Sequence, residues 1–137
     1  MSTIDDLVVI DSAMTQLMRG IARVDNRQGI GKARLSALAV LHFGGPRTMT
    51  ELAAAEMVSR PTMHHVVKGL ETEGYVRRID DNNDARRQII QLTGKGTRKI
   101  KRAHAARIYF LGTLISKIDA RQVKVAASVL DQLCNMA

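Results

Sequence analysis

Apolar residues recur at helical spacing along most of the chain. In the first predicted helix, over residues 3–24, they step alternately by three and four positions: Leu7, Ile10, Met14, Leu17, Ile21 and Val24. This heptad pattern is typical of a helix that packs lengthwise on a partner helix, in the same chain or in a second copy.

A helix with an inward leucine face follows a polar, glycine-containing loop at 25–32. In its sequence, ARLSALAVLHF, Leu35, Leu38 and Leu41 share one face. The GGP segment at 44–46 ends this helix, because glycine and proline both disfavour its continuation.

Two short helices joined by a tight turn come next, which predicts a helix-turn-helix. Thr48 and Glu51 form a capping box for the first helix. Ser59 is a good N-cap for the second, and Pro61 is tolerated in the first turn, where backbone amides lack helical partners. The apolar stripe of the second helix is Met63, Val66, Val67 and Leu70.

Two β-rich runs at 75–79 and 87–93 follow Gly74, the C′ residue of that helix. A hydrophilic, turn-rich loop at 80–86 is predicted to join them. A hairpin directly after a helix-turn-helix is the winged arrangement.

Two further helices close the chain, so the predicted fold is mainly α. Thr93 can cap the first, whose apolar residues are assigned inward: Ile100, Ile108, Leu111, Leu114, Ile115 and Ile118. Asp119 and Gln122 resemble another capping box, and the stripe of the last helix is Val123, Ala127, Leu130 and Cys134.

The composition favours one folded domain with an aliphatic core. The 137 residues are 45% hydrophobic but only 3% aromatic. No apolar run approaches the roughly 20 residues that span a bilayer, and the acidic amino-terminal segment does not resemble a signal peptide. The single cysteine, Cys134, cannot form an internal disulfide, which fits a reducing cytoplasm.

Positive charge is concentrated in one third of the chain. The formal net charge is +8, and residues 59–104 hold eleven basic and five acidic side chains, net +6. Such a surface attracts a polyanion or an anionic membrane. Because the charge is spread over a helix, a hairpin and the start of another helix, it fits a folded nucleic-acid surface better than a membrane helix.

Residues 48–96 resemble the MarR family of bacterial transcriptional regulators, and weaker similarity extends over the flanking helices. The matching pieces are TELAAAEMVSRPTMHHVVKGLETEGYVRR, the wing motif Asp84-Ala85-Arg86, and Leu92-Thr93 followed by Gly96. Three departures stand out: Met57 where such turns commonly carry glycine, the pair His64-His65 where small polar or basic residues are frequent, and Asp80 and Asn82 where the wing often has prolines.

The resemblance implies a single winged-helix domain over 1–137 that acts as a homodimer. Helices within 1–28 and 94–137 would form the dimerisation layer, and 29–93 the DNA-binding part. The dimer would bind a pseudo-palindromic operator in double-stranded DNA, as a cytoplasmic regulator and most simply a repressor. No resident cofactor is implied.

The DNA-contacting residues expected from the sequence lie on the second helix of the helix-turn-helix and on the wing. They are Arg60, Pro61, Thr62, His64, His65, Lys68, Asp84, Arg86 and Arg87. Arginine can bind guanine bidentately, and histidine can donate to the same base acceptors. The family pattern assigns Asp84 to orient Arg86 for the minor groove. A solvated helix face and a surface salt bridge are the ordinary alternatives.

The family often binds small aromatic or phenolic molecules between the dimer layer and the winged domains. Candidate pocket residues near the expected hinge are Met14, Met18, His42 and Tyr109. A zinc site is disfavoured, because adjacent histidines on a helix point about 100° apart. An enzyme is also disfavoured, since no phosphate-binding glycine loop is present. The remaining rival is a winged-helix adaptor for RNA or for another protein.

Overall fold

The structure is a computed structural model that describes residues 3–137. The described residues form six helices and one three-stranded antiparallel sheet, so the predicted mainly-α winged fold is confirmed. The elements are α1 (Thr3–Asn26), α2 (Lys32–Gly44), β1 (Arg47–Thr48), α3 (Met49–Ala55), α4 (Arg60–Thr72), β2 (Val76–Asp81), β3 (Asp84–Leu92), α5 (Gly94–Ile115) and α6 (Ala120–Met136).

The chain divides into two compact units. The first ends at Arg107 and contains the helix-turn-helix of α3 and α4, together with the wing, the hairpin of β2 and β3. The second comprises Ile108–Ala137 and therefore takes the end of α5 and all of α6.

The first unit is built around one aliphatic core. Its most deeply buried large side chains come from α2, α3, α4 and β3: Leu38, Leu52, Met63, Val67, Leu70 and Ile90. Burying one such side chain contributes roughly 1.5–3 kcal/mol. The apolar stripe predicted for α4 is buried in full, which fixes the side of α4 that faces outward.

The wing is longer than the sequence predicted. The loop assigned to 80–86 is wrong, because β2 continues to Asp81 and β3 begins at Asp84. The backbone amide of Asn83 donates to Oδ1 of Asp81 (3.0 Å), so the polar residues form a tight turn instead of a loop. The two-residue strand β1, which was not predicted, pairs Arg47 with Ile90 on the outer side of β3.

The predicted caps at Thr48, Ser59 and Thr93 are confirmed, but the capping box predicted for Asp119 and Gln122 is wrong, because Asp119 Oδ1 accepts from the Arg121 amide (2.8 Å). Thr48 and Glu51 exchange both capping-box hydrogen bonds, and Ser59 Oγ accepts from the Thr62 amide (3.2 Å). Thr93 Oγ1 likewise accepts from the Gly96 amide (3.1 Å) at the start of α5.

The turn between α3 and α4 contains a strained residue. Met57 has a φ of 53° in the left-handed region, where a side chain is disfavoured. The Val58 amide donates to the Ala53 carbonyl (3.0 Å), closing the helix end in the way that normally selects glycine. Met57 thus adopts the backbone conformation that glycine, the more usual residue here, would adopt without strain.

Several apolar residues assigned inward are exposed in the single chain. In α5, Ile100 is buried as predicted, but the inward assignment is wrong for Ile108, Leu114, Ile115 and also for Ile118 beyond the helix end. The heptad residues of α1 are likewise exposed from Leu7 to Leu17. Helical periodicity groups residues on one face but does not determine whether the same chain covers that face.

Candidate nucleic-acid interface

The second helix of the helix-turn-helix, α4, presents its polar residues on the side opposite the core. Five of the predicted contact residues, Arg60, Thr62, His64, His65 and Lys68, are exposed, as is Pro61. The placement follows directly from the burial of the apolar stripe. The Thr62 hydroxyl lies 2.8 Å from the Ser59 hydroxyl, so part of its hydrogen-bonding capacity is used within the helix cap.

A groove between the start of α4 and the sheet gathers most of the cationic site residues. This wing groove has a volume of about 290 Å³. Its lining includes Arg60 and His64 from α4 and Arg78, Arg86 and Arg87 from the wing. Four guanidinium groups at one concavity form a site suited to phosphate or to the acceptor edge of guanine.

The predicted pairing of Asp84 and Arg86 is present at the start of β3. Oδ1 of Asp84 accepts from the Arg86 backbone amide (3.0 Å) and lies 3.4 Å from Arg86 Nε. The Arg86 side chain is nevertheless 94% exposed. The carboxylate therefore restrains the arginine near the backbone while its guanidinium stays open to solvent.

Arg87 has a partner that the sequence did not indicate. Its guanidinium lies 3.7 Å from Oε1 of Glu51, the residue whose other carboxylate oxygen closes the capping box with Thr48. The pair links β3 to α3, and both side chains are about half exposed. Arg87 is thus held at the groove by a weak, solvent-screened interaction.

His65 and Lys68 do not join the wing groove. They line a separate groove on the other flank of α4, together with Arg34 of α2 and Glu73. The structure therefore divides the predicted contact residues between two flanks of α4. Arg60, His64, Arg86 and Arg87 form one group.

A larger, mostly apolar cavity of about 430 Å³ lies along α1 in the first unit. Its lining residues are Thr15, Met18, Arg19, Ile21, Ala22, Asp25, Asn26, Lys32 and Arg107. Among the predicted pocket residues only Met18 lines this cavity. Met14 and His42 lie elsewhere in the first unit, and Tyr109 is a 77% exposed residue of the second.

One wall of that cavity is fixed by an ion pair between α1 and α5. Arg107 Nε donates to Asp25 Oδ1 (2.7 Å), and a second guanidinium nitrogen donates to the other carboxylate oxygen. This bidentate contact raises the pKa of Arg107 above its ordinary value, chiefly through the hydrogen bond and against the opposing effect of burial.

Within residues 3–137, the described His, Cys, Asp and Glu side chains do not gather in groups of three or more that could hold a metal ion. None of the described helices combines the length and apolar content needed to cross a bilayer.

Comparison with known proteins finds that part of the chain is similar to one family. The model of the MarR family matches residues 28–87, which run from the segment before α2 into β3. The HTH-type transcriptional regulator Mb0904 of Mycobacterium bovis is 26% identical over 119 residues, covering 87% of this chain and 83% of that protein.

The resemblance to the MarR family is confirmed for the winged part of the chain, residues 28–87, and the relatives are HTH-type transcriptional regulators.

Solved structures show the same MarR fold. A MarR family protein from Bacillus stearothermophilus superposes with a TM-score of 0.87 at 21% identity, covering 98% of this chain and 94% of that one. NadR, solved in complex with 4-hydroxyphenylacetate, gives a TM-score of 0.71 at 19% identity and covers 100% of this chain and 96% of that one.

Sequence reasoning missed two cationic residues that belong to the site. Arg78 lines the wing groove, and Arg34 reaches the other flank of α4 from α2. Strand alternation places Arg77 and Arg78 on opposite sides of β2, with Arg77 exposed and Arg78 half-buried. A glycine inside a helix, Gly69, indicates that another group approaches α4 closely. The structure shows that this group is the Arg34 guanidinium, which the sequence does not identify.

Proposed function

We propose that this chain is a MarR-type regulator that binds a specific sequence of double-stranded DNA through α4 and the wing. The observation that carries the proposal is the wing groove, where Arg60 of α4 meets Arg86 and Arg87 of β3. Guanidinium groups bind phosphates and guanine edges with bidentate geometry. A concavity lined by arginines beside a recognition helix fits the backbone and edge of a duplex.

In this proposal, α4 enters the major groove with its N-terminal half. That half carries Arg60, His64 and His65, whereas the carboxylates Glu71 and Glu73 lie near the C-terminal end. Both carboxylates are engaged by arginines, Arg78 for Glu71 and Arg34 for Glu73. Their repulsion of phosphate is therefore reduced, and the cationic half of the helix dominates the contact.

The wing would contact the adjacent minor groove. Arg86 stands at the turn end of the hairpin with a 94% exposed side chain, and Asp84 limits the directions it can take. Narrow A·T-rich minor grooves attract arginine through their negative potential. Pre-ordering by Asp84 would lower the entropy that Arg86 loses on insertion.

We further propose that the active species is a homodimer. The heptad residues of α1 support this, since Leu7, Met14 and Leu17 are each roughly half exposed in the single chain. Long apolar stripes of this kind mark association surfaces. Two copies would place two α4 helices at half-sites about 34–36 Å apart, one turn of DNA.

Ligand response is proposed at the cavity along α1. Its wall is mostly apolar, and it holds the cations Arg19, Lys32 and Arg107 against the single carboxylate Asp25. This chemistry fits a small aromatic or phenolic acid, and the neighbour NadR was solved with 4-hydroxyphenylacetate. Such a ligand would relieve repression in the cytoplasm by favouring a dimer with wrongly spaced recognition helices.

Titration of the full chain against duplex DNA and against structured RNA, at several salt concentrations, tests the proposal. Non-specific attraction to phosphate weakens with salt for both nucleic acids. The proposal expects one duplex sequence to keep a preference of at least about a thousandfold over scrambled duplex. Equal affinity for RNA and for every duplex would support an adaptor role instead.

A further inference from the structure

A second groove lies on the flank of α4 that faces away from the wing. This outer groove has a volume of about 240 Å³ and is lined by Arg34, His65, Lys68, Gly69, Thr72 and Glu73. We infer that it binds a phosphate of the DNA backbone, with Arg34 and Lys68 as its cations. The inference rests on the proposed duplex binding and adds a contact made by α2, outside the helix-turn-helix.

Gly69 makes room for the guanidinium of Arg34 on α4. A Cβ atom at position 69 would lie 2.5 Å from an Arg34 terminal nitrogen and 2.6 Å from its Cζ, closer than real contacts allow. The guanidinium therefore lies directly against the helix backbone. Glycine inside a helix costs roughly 1 kcal/mol of stability relative to alanine. At position 69, the absence of a side chain allows the Arg34 guanidinium to lie against the helix.

Glu73 holds the guanidinium from one side only. An Arg34 terminal nitrogen donates to Glu73 Oε1, and the two side chains remain 33% and 39% exposed. A guanidinium has five N–H donors, so the contact with Glu73 leaves donors for another ligand. Arg34 is thus both restrained in position and unsaturated in hydrogen bonds.

The charge around the outer groove favours an anion. Arg34 and Lys68 contribute two positive charges against the single carboxylate of Glu73. Lys68 is exposed on α4, next to the flank that carries Arg60 and His64. A duplex seated on α4 would therefore bring a backbone phosphate towards this flank.

A purely structural role for Arg34, tying α2 to α4 through Glu73, is the competing explanation. The two roles differ in one measurable property. A phosphate contact contributes about 0.9 to the slope of log affinity against log salt concentration. A structural tie leaves that slope unchanged and acts only on the stability of the fold.

The test measures the DNA affinity, at several salt concentrations, of the wild-type chain, Arg34→Ala, Gly69→Ala and the double variant. Each is titrated with the duplex that the wild type prefers and with a scrambled duplex. Arg34→Ala should weaken both duplexes by roughly tenfold and lower the salt slope by about one unit. Gly69→Ala should also weaken DNA binding and lower the salt slope, because its methyl group displaces the Arg34 guanidinium. It should not lower the melting temperature, since alanine favours the helix.

The double variant and a control make the outcome decisive. Once Arg34 is absent, Gly69→Ala should have no further effect on DNA affinity. Arg121→Ala is the control, because Arg121 also pairs with a nearby carboxylate, Asp119, but lies in the second unit. Unchanged salt slopes in both single variants would overturn the inference. Because the slope is also measured on scrambled duplex, that result is distinguishable from a failure of sequence selection by the wild type.

Discussion

Arg78 Nε donates to Glu71 Oε1 across 2.7 Å, joining the wing to the C-terminal half of the recognition helix. The side chains of this pair are 25% and 32% exposed. Arg77, one residue earlier on β2, is exposed on the opposite side of the strand, as alternation requires. The Arg78–Glu71 pair therefore ties the wing to α4.

Arg78→Ala should lower the free energy of unfolding by about 1 kcal/mol, a value reduced for partial exposure of the pair. It should also weaken DNA binding, because the wing loses its restraint against α4. Urea denaturation measures the first effect and fluorescence anisotropy the second. Arg77→Ala is the matched control and should change stability by less than about 0.5 kcal/mol. Equal effects of the two variants on stability would contradict the role of Arg78.

Met57→Gly should stabilise the protein by roughly 0.5–1 kcal/mol. The substitution relieves the left-handed strain at a φ of 53°, partly offset by the greater freedom of glycine in the unfolded chain. Met57→Ala keeps the strain and removes only an exposed side chain, so it should be nearly neutral. Thermal unfolding of both variants tests this, and a gain as large for alanine as for glycine would refute backbone strain as the cause.

Asp119 should titrate below its ordinary carboxyl pKa of 3.8. The hydrogen bond from the Arg121 backbone amide, at the start of α6, is the largest cause of this lowered pKa. A depressed folded pKa stabilises the fold above pH 3.8, and this contribution is lost as the pH falls through the lower folded pKa. NMR titration of the carboxyl carbon measures the midpoint directly. A midpoint at or above 3.8 would rule out the capping contact.

His65 and Lys68 should affect DNA binding in different ways. His65→Ala should reduce discrimination between the preferred duplex and duplexes with one base pair changed. A lost contact to a base edge would reduce it by about 1–3 kcal/mol. Lys68→Ala should weaken all duplexes nearly alike and lower the salt slope by about one unit. Competition titrations against a panel of point-substituted duplexes measure both effects. A uniform loss in His65→Ala would remove His65 from the base-contacting residues.

The double variant Leu7→Glu with Leu17→Glu should dissociate the proposed dimer. Both side chains lie on the exposed heptad face of α1, where paired carboxylates would have to be buried. Analytical ultracentrifugation should show a dimer for the wild type and a monomer for the variant. Circular dichroism should show that the variant keeps the helical content of the wild type. Gln16→Glu, off the heptad face, should remain dimeric. A monomeric wild type would refute the dimer outright.

Local patterns accounted for the recognition helix and its caps. These features depend on residues that lie within one or two helical turns of each other: the apolar stripe from Met63 to Leu70, the N-cap at Ser59 and the capping box at Thr48. Such contacts are encoded at short range, and the structure places them as predicted. The polar side of α4 then follows by geometry from its buried side.

Contacts between distant elements could not be predicted. The pairs Arg34–Glu73 and Arg107–Asp25 join residues 39 and 82 positions apart, and no local signal selects one arginine over another. The wing loop was misjudged because Asp and Asn favour turns, although strand pairing continues through Asp81 and Asp84. In α5, periodicity assigned Ile108 inward, yet the chain leaves it exposed.

Selection from a pool of random duplexes by the purified full chain tests sequence-specific DNA binding most directly. After several rounds, we expect enrichment of one pseudo-palindromic sequence whose half-sites are centred about 10–10.5 base pairs apart. Arg60→Ala should lose this enrichment while the chain stays folded. A final pool indistinguishable from the starting pool, with the wild-type protein folded, would contradict sequence-specific DNA binding.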